Sequence, residues 1–231
     1  MNYAIILSGG VGTRLGANIP KQYLEVNGRT VLSYSLEAFQ KHEGVDKIVI
    51  VVAPEFDGLV LEEVKNHGIT KFLRLAPAGK SRQHSILSGL KAIAENEVIT
   101  DTDKVLIHDG VRANVSQDII SDSLSFDGYD GALPTISIAD TVFYSENGKA
   151  IEGLLDRNKI FAGQTPEGFK LKRYLDCHNG LSEQEILSST GSSVLAFNCG
   201  MKIKLSLGKP SNYKITTIED LEKFEIEKNK G

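Results

Sequence analysis

The chain has little sulfur chemistry to offer. Two cysteines, Cys177 and Cys199, stand without CxxC spacing, which excludes a zinc framework and leads us to expect reduced thiols rather than a disulfide. The five histidines are scattered, so a metal held through imidazole is not expected. Apolar runs are short. The longest, Ile48 to Ala53, falls far below the roughly 20 residues that cross a bilayer, and Met1 leads straight into a strand-like stretch, so a cytoplasmic chain without a leader or membrane span is expected. Positive charge is not in surplus: 26 basic residues face 30 acidic ones, for a net charge of −4. With no basic block, binding to a long nucleic acid is excluded and any phosphate site must be local. Internal repeats and low-complexity segments are also missing.

What is present is the alternation of a mostly parallel, helix-covered sheet. Strands are expected at Tyr3–Leu7, Lys47–Val52, Lys71–Leu75 and Lys104–His108, and helices at Val31–His42, Glu55–Asn66, Ser81–Glu95 and Ser116–Phe126. Leu32, Leu36 and Phe39 fall on one face of the first helix. The rhythm changes near Ile136, where Asp140–Tyr144 and Ala150–Leu155 flank an Asn147-Gly148 turn and read as a hairpin. We treat residues 1–231 as a single domain with an arm at about 137–162. Further helices are expected near Phe169–His178 and Glu183–Ser188, strands around Val194–Phe197 and Lys202–Leu205, and a charged, solvated helix from Thr217 that frays at its end.

The densest chemical signal follows the first strand. Ser8, Gly9, Gly10, Gly12, Arg14 and Gly16 lead into Pro20-Lys21-Gln22-Tyr23. Glycines there let backbone N–H groups approach phosphate oxygens. A dinucleotide fingerprint would need glycine where Leu15 stands, and a P-loop would need a closing GK[ST]; both fail on spacing. The loop, with Arg14 and Lys21 beside it, is suited to gripping a triphosphate, or else is a tight turn beside two surface cations. The strand ending His108-Asp109 precedes Arg112. Asp109 is a candidate Mg²⁺ ligand and Arg112 a candidate for an acidic substrate, the alternative being a surface ion pair. Segments Pro77–Ser85, Asp156–Pro166 and Ser211–Thr216 are each compatible with a cap, turn or edge, and Ser81 is placed to cap a helix whose amides could meet a ligand.

Taken together and in order, these segments resemble the cytidylyltransferases that make CDP-alditols, a group acting on 2-C-methyl-D-erythritol 4-phosphate or ribitol 5-phosphate. The resemblance runs nearly end to end. It implies a Rossmann-like nucleotidyltransferase domain with a β-arm that embraces a second subunit, hence a homodimer, with CTP as substrate and Mg²⁺ as cofactor. By position it implies catalytic roles for Arg14, Lys21 and Lys214 and a metal role for Asp109. Nucleotide contacts fall on Ser8, Gly9, Gly10, Gly12, Gly79, Arg82 and Ser85, and acceptor contacts on Arg112, Thr141, Arg157, Thr165 and Thr190. PKQY and Asp156-Arg157-Asn158 resemble the methylerythritol enzymes, to which we lean, whereas His-Asp-x-Val-Arg and Gly163-Gln164-Thr165-Pro166 resemble the ribitol branch. Four positions depart from the family pattern: Lys80 stands for a carboxylate, Ala113 for proline, Gly191 for aspartate and Glu167 for glutamine. The rival readings are a sugar 1-phosphate or pterin nucleotidyltransferase and a non-catalytic nucleotide-binding homologue.

Overall fold

The computed structural model describes residues 1–10 and 19–229. Its first half alternates strand and helix: β1 (Asn2–Leu7), a small hairpin of β2 (Glu25–Val26) and β3 (Arg29–Thr30), α1 (Val31–Lys41), β4 (Lys47–Val52), α2 (Asp57–Asn66), β5 (Phe72–Pro77), α3 (Arg82–Ala94), β6 (Lys104–Asp109) and α4 (Gln117–Leu124). The second half runs β7 (Gly131–Ser137), β8 (Val142–Tyr144), β9 (Gly153–Leu155), β10 (Phe161–Gly163), β11 (Glu167–Lys170), α5 (Leu171–Gly180), α6 (Glu183–Ser188), α7 (Ser192–Asn198), β12 (Ile203–Leu207) and α8 (Ile218–Asn229).

The main sheet runs β10-β7-β11-β6-β1-β4-β5, with β12 paired to β7. The β6, β1, β4 and β5 strands are mutually parallel, as are β12 and β7. Antiparallel β11 is wedged between β6 and β7. Near-continuous β-branched runs such as Ile48–Val52 suit strands covered on both faces, and these residues are buried. One face packs Ile5, Val49, Ile107, Leu90 and Tyr174 beneath α3, α5 and α7. The other packs Ile6, Ile50, Leu106, Leu36 and Ile119 beneath α1, α2 and α4. Each fully buried aliphatic contributes roughly 1.5–3 kcal/mol. Leu32, Leu36 and Phe39 of α1 are all fully buried, and Thr30 caps that helix by accepting from the Ser33 N–H at 3.2 Å. The terminal α8 is largely exposed, anchored by Phe224 against Tyr34 in an edge-on contact at 5.1 Å.

Several expectations are corrected. The segment Val194–Phe197 is not a strand but part of α7; Ser192, Leu195 and Ala196 are buried while Val194 and Phe197 are exposed, a helical spacing that a four-residue apolar window disguises. Phe169 belongs to β11 rather than to the following helix, which starts at Leu171. Strands β2, β3, β7, β10 and β11 have no counterpart among the elements expected from the sequence. The cysteines are not reduced thiols: Cys177 on α5 and Cys199 at the end of α7 are disulfide-bonded, with Cα atoms 5.9 Å apart. Both border the same core cluster, a juxtaposition made by helix packing that a 22-residue separation does not reveal. No described helix is long and apolar enough to cross a membrane.

Candidate active site

The strand order reverses at β1, whose neighbours β4 and β6 are reached by crossovers in opposite directions. Open α/β sheets bind ligands outside the carboxyl ends of their strands at such a point. The register brings those ends level, with Leu7 opposite both Val51 and Asp109 and Val52 opposite Pro77. A cavity of about 630 Å³ opens there. Gly9, Gly10, Lys21, Gly79, Lys80, Arg82, Ser85, Asp109 and Lys214 line it, so most of the expected nucleotide and catalytic residues meet. Arg14 and Gly12 lie outside the described residues.

The entry to the glycine loop is pinned by the PKQY turn. Buried Gln22 donates through Nε2 to the carbonyls of Ser8 at 2.6 Å and Gly10 at 2.8 Å. The Tyr23 hydroxyl donates to the Ser8 carbonyl at 3.0 Å and lies 2.9 Å from the Ser8 hydroxyl. Ser8 is buried behind these bonds. A Cβ on Gly9 would meet the Ala78 Cβ at 2.3 Å, whereas one on Gly10 would meet nothing within 4 Å among the described residues. Gly9 is therefore required by close approach of the two loops, and Gly10 lines the cavity. Across it, Gly79 donates its N–H to the Ser85 hydroxyl at 3.0 Å, and Ser81 caps α3 by accepting from the His84 N–H at 3.3 Å. Lys80 is exposed and pairs with Glu183 at 3.3 Å.

Asp109 is the charged centre. It is the one carboxylate among the described residues lining the cavity. Arg82 approaches one of its oxygens at 3.1 Å and Lys214 the other at 2.8 Å. Burial raises the carboxyl pKa, but Arg82, Lys214 and Arg112 outweigh it and hold it well below the usual carboxylate range. Burial lowers the guanidinium of Arg112 and would lower that of Arg82, where Asp109 and Glu167 more than compensate. Among the described residues no three His, Cys, Asp or Glu side chains converge as a metal cage. One carboxylate beside a phosphate-sized cavity instead suits a hard cation held mainly by substrate phosphates.

Asn212 ties the acceptor-side motifs together. Fully buried, its side chain donates to the Gln164 side chain at 3.2 Å and the Thr165 carbonyl at 2.9 Å, while its backbone carbonyl accepts from Arg112 at 2.7 Å. Thr165, expected on the acceptor side, is buried here: its hydroxyl accepts from the Asp109 N–H at 3.1 Å and contacts His108 Nδ1 at 3.1 Å. It braces the end of β6. Thr141 and Arg157 are exposed on the arm, where Arg157 donates to the Ala139 carbonyl. Thr190 is exposed in the turn before α7. None of these three lines the cavity. Reading the sequence missed the bracing roles of Gln22, Tyr23, Gln164 and Asn212, although PKQY, GQTP and NYKIT marked their positions.

A family model described as IspD, 2-C-methyl-D-erythritol 4-phosphate cytidylyltransferase, matches residues 2–227. Similar curated proteins include the enzymes of that name from Clostridium novyi, 33% identical over 95% of this chain and 93% of the relative, and Clostridium botulinum strain Loch Maree, 35% identical over 95% and 94%. The fold is similar to that of the 4-diphosphocytidyl-2C-methyl-D-erythritol synthase from Anaerococcus prevotii, with a TM-score of 0.82, 24% identity and coverage of 99% and 98%. It is also similar to the Francisella tularensis cytidylyltransferase, with a TM-score of 0.76, 26% identity and coverage of 97% and 98%. A match that runs from the first strand into the last helix, with relatives 33–35% identical over 95% of the chain, means that this chain belongs to the 2-C-methyl-D-erythritol 4-phosphate cytidylyltransferase family.

Proposed function

We propose that this enzyme transfers the cytidylyl group of CTP to 2-C-methyl-D-erythritol 4-phosphate, releasing pyrophosphate, in isoprenoid precursor synthesis. The observation that carries the reading is the pairing of Asp109 with Arg82 and Lys214 on the floor of a cavity walled by Gly9, Gly10 and Gly79. The acceptor phosphate is already ionised near neutral pH and attacks the α-phosphorus directly, so alignment and charge neutralisation dominate the rate. Lys21 and Lys214 oppose the charge that builds on the phosphorus and on departing pyrophosphate, with Arg14 assigned to the same task by resemblance. Asp109 would hold Mg²⁺, which neutralises phosphate charge when bound. Gly10, Gly79 and Ser85 border the triphosphate, and Arg112 is assigned to the acceptor.

The arm is assigned to a second copy of the chain. It exposes Phe143, Ile151, Leu154 and Phe161, an apolar surface that a homodimer would cover, and in that arrangement Thr141 and Arg157 would reach the partner's acceptor. The deciding experiment is pyrophosphate release with CTP and Mg²⁺, run with 2-C-methyl-D-erythritol 4-phosphate and with ribitol 5-phosphate, whose enzymes share the HDxVR and GQTP patterns. A higher kcat/KM with methylerythritol phosphate is expected. Preference for ribitol 5-phosphate would reassign the acceptor, and silence with both would overturn the transferase reading.

A further inference from the structure

We propose that Glu167 is a positioning residue for the nucleotide site, setting the angle of Arg82; this rests on the cytidylyltransferase reading above. Glu167 sits at the start of β11, beside β6, and is buried. One oxygen, Oε2, accepts from the Ser193 N–H at 2.8 Å and the Ser193 hydroxyl at 2.5 Å. The other, Oε1, faces Arg82 Nη2 at 3.4 Å. Arg82 in turn donates through Nη1 to the Ser192 hydroxyl at 2.5 Å and through Nε to Asp109 at 3.1 Å. Glu167, Ser193, Ser192 and Arg82 thus close a ring that fastens the start of α7 to a cavity-lining guanidinium.

A planar guanidinium gripped on several edges has little angular freedom. Without Glu167, Arg82 keeps Asp109 as its carboxylate partner and swings toward it. The ring also separates two otherwise similar expectations. An acid that merely lies near a triphosphate site repels the ligand, so its neutralisation would tighten CTP binding. An acid that orients a cation toward that ligand weakens binding when neutralised, despite the added positive charge.

The test is calorimetric titration of CTP into wild type, Glu167→Gln, Arg82→Lys and the double variant, with thermal unfolding of each. Glu167→Gln is expected to weaken CTP about tenfold, the scale of a lost charge-assisted hydrogen bond. In the Arg82→Lys background, where no fork remains to be aimed, the same change is expected to have an effect under about twofold. Unchanged or tighter binding in Glu167→Gln overturns the proposal, as does an equal loss in both backgrounds. Ser193→Ala provides a milder variant that keeps the Ser193 N–H. It is expected to weaken CTP in the same direction by a smaller factor, and if Glu167→Gln does not fold, unchanged affinity in Ser193→Ala overturns the proposal. If wild type binds a different nucleoside triphosphate instead of CTP, the cytidylyl reading fails and the Glu167 inference is decided by the same comparison with that nucleotide. If wild type binds none, both fall.

Discussion

Lys21 immediately precedes the Gln22 that pins the Ser8 and Gly10 carbonyls, so its backbone is fixed beside the cavity that it lines. Lys21→Ala is expected to lower kcat by about 10²–10³, the usual consequence of removing one donor to a developing charge, with circular dichroism and unfolding temperature unchanged. Near-normal turnover would remove Lys21 from the catalytic set. Much at this scale is legible without a structure. Lys21, Asp109 and Lys214 are charged residues in strand-end or loop motifs, which a reading of the chain singles out. Glu167 and Asn212 are different, because a buried polar side chain takes its meaning from its partners. The Arg82 and Ser193 partners of Glu167 are contributed by two other elements. Ala113, another departure from the family pattern, packs with Ile215 and Phe224 beneath α8.

Elements α5 and α7 are held by both packing and a covalent link. The Cys177–Cys199 bridge closes a loop with a sequence separation of 22, for which chain-entropy arguments give about 3 kcal/mol of stabilisation. Adding reductant, or replacing Cys177 by Ser, is expected to lower the urea midpoint accordingly, with a quantitative thiol assay giving no free thiol in the untreated protein. Two free thiols before reduction would show the bridge to be unformed. The arm makes the second prediction at this scale. Leu154 and Phe143 project from β9 and β8 into solvent, and Leu154→Glu is expected to convert a dimer to a monomer in sedimentation velocity. The same sedimentation coefficient in both proteins would separate the arm from assembly.

For the molecule as a whole, stability is coupled to pH through histidines buried without charge. Burial pushes His108 down to about 3 and His178 down to about 4, and it lowers His42 as well. An unfolded histidine titrates near 6.5. Below that value the unfolded chain binds protons that the native chain excludes, so stability is complete above it and falls as pH drops toward the native values. At about pH 5, His108 and His178 each remove about 2 kcal/mol. Asp109 does not contribute in this window, since its depressed pKa keeps it ionised in the native state until the pH falls well below the ordinary carboxylate value. Urea unfolding at about pH 7.5 and about pH 5 tests the sign, and His178→Gln is expected to flatten the slope. Equal stability at both pH values would mean that these rings are charged or solvated in the native protein.

The sequence by itself determined the parallel half of the fold, the β8–β9 hairpin and the strand-end residues that come to line the cavity. Those signals are local: β-branched runs, helical spacing, a glycine loop behind a strand and an Asn-Gly turn. Only the tertiary structure decided the rest. It wedged β11 antiparallel between β6 and β7, made a helix of the apolar Val194–Phe197 segment, joined Cys177 to Cys199, turned Thr165 inward to brace Asp109 and closed Glu167 onto Arg82. Each of these depends on which distant elements become neighbours around the core. Chain order does not encode that directly, and the burial of two sheet faces enforces it.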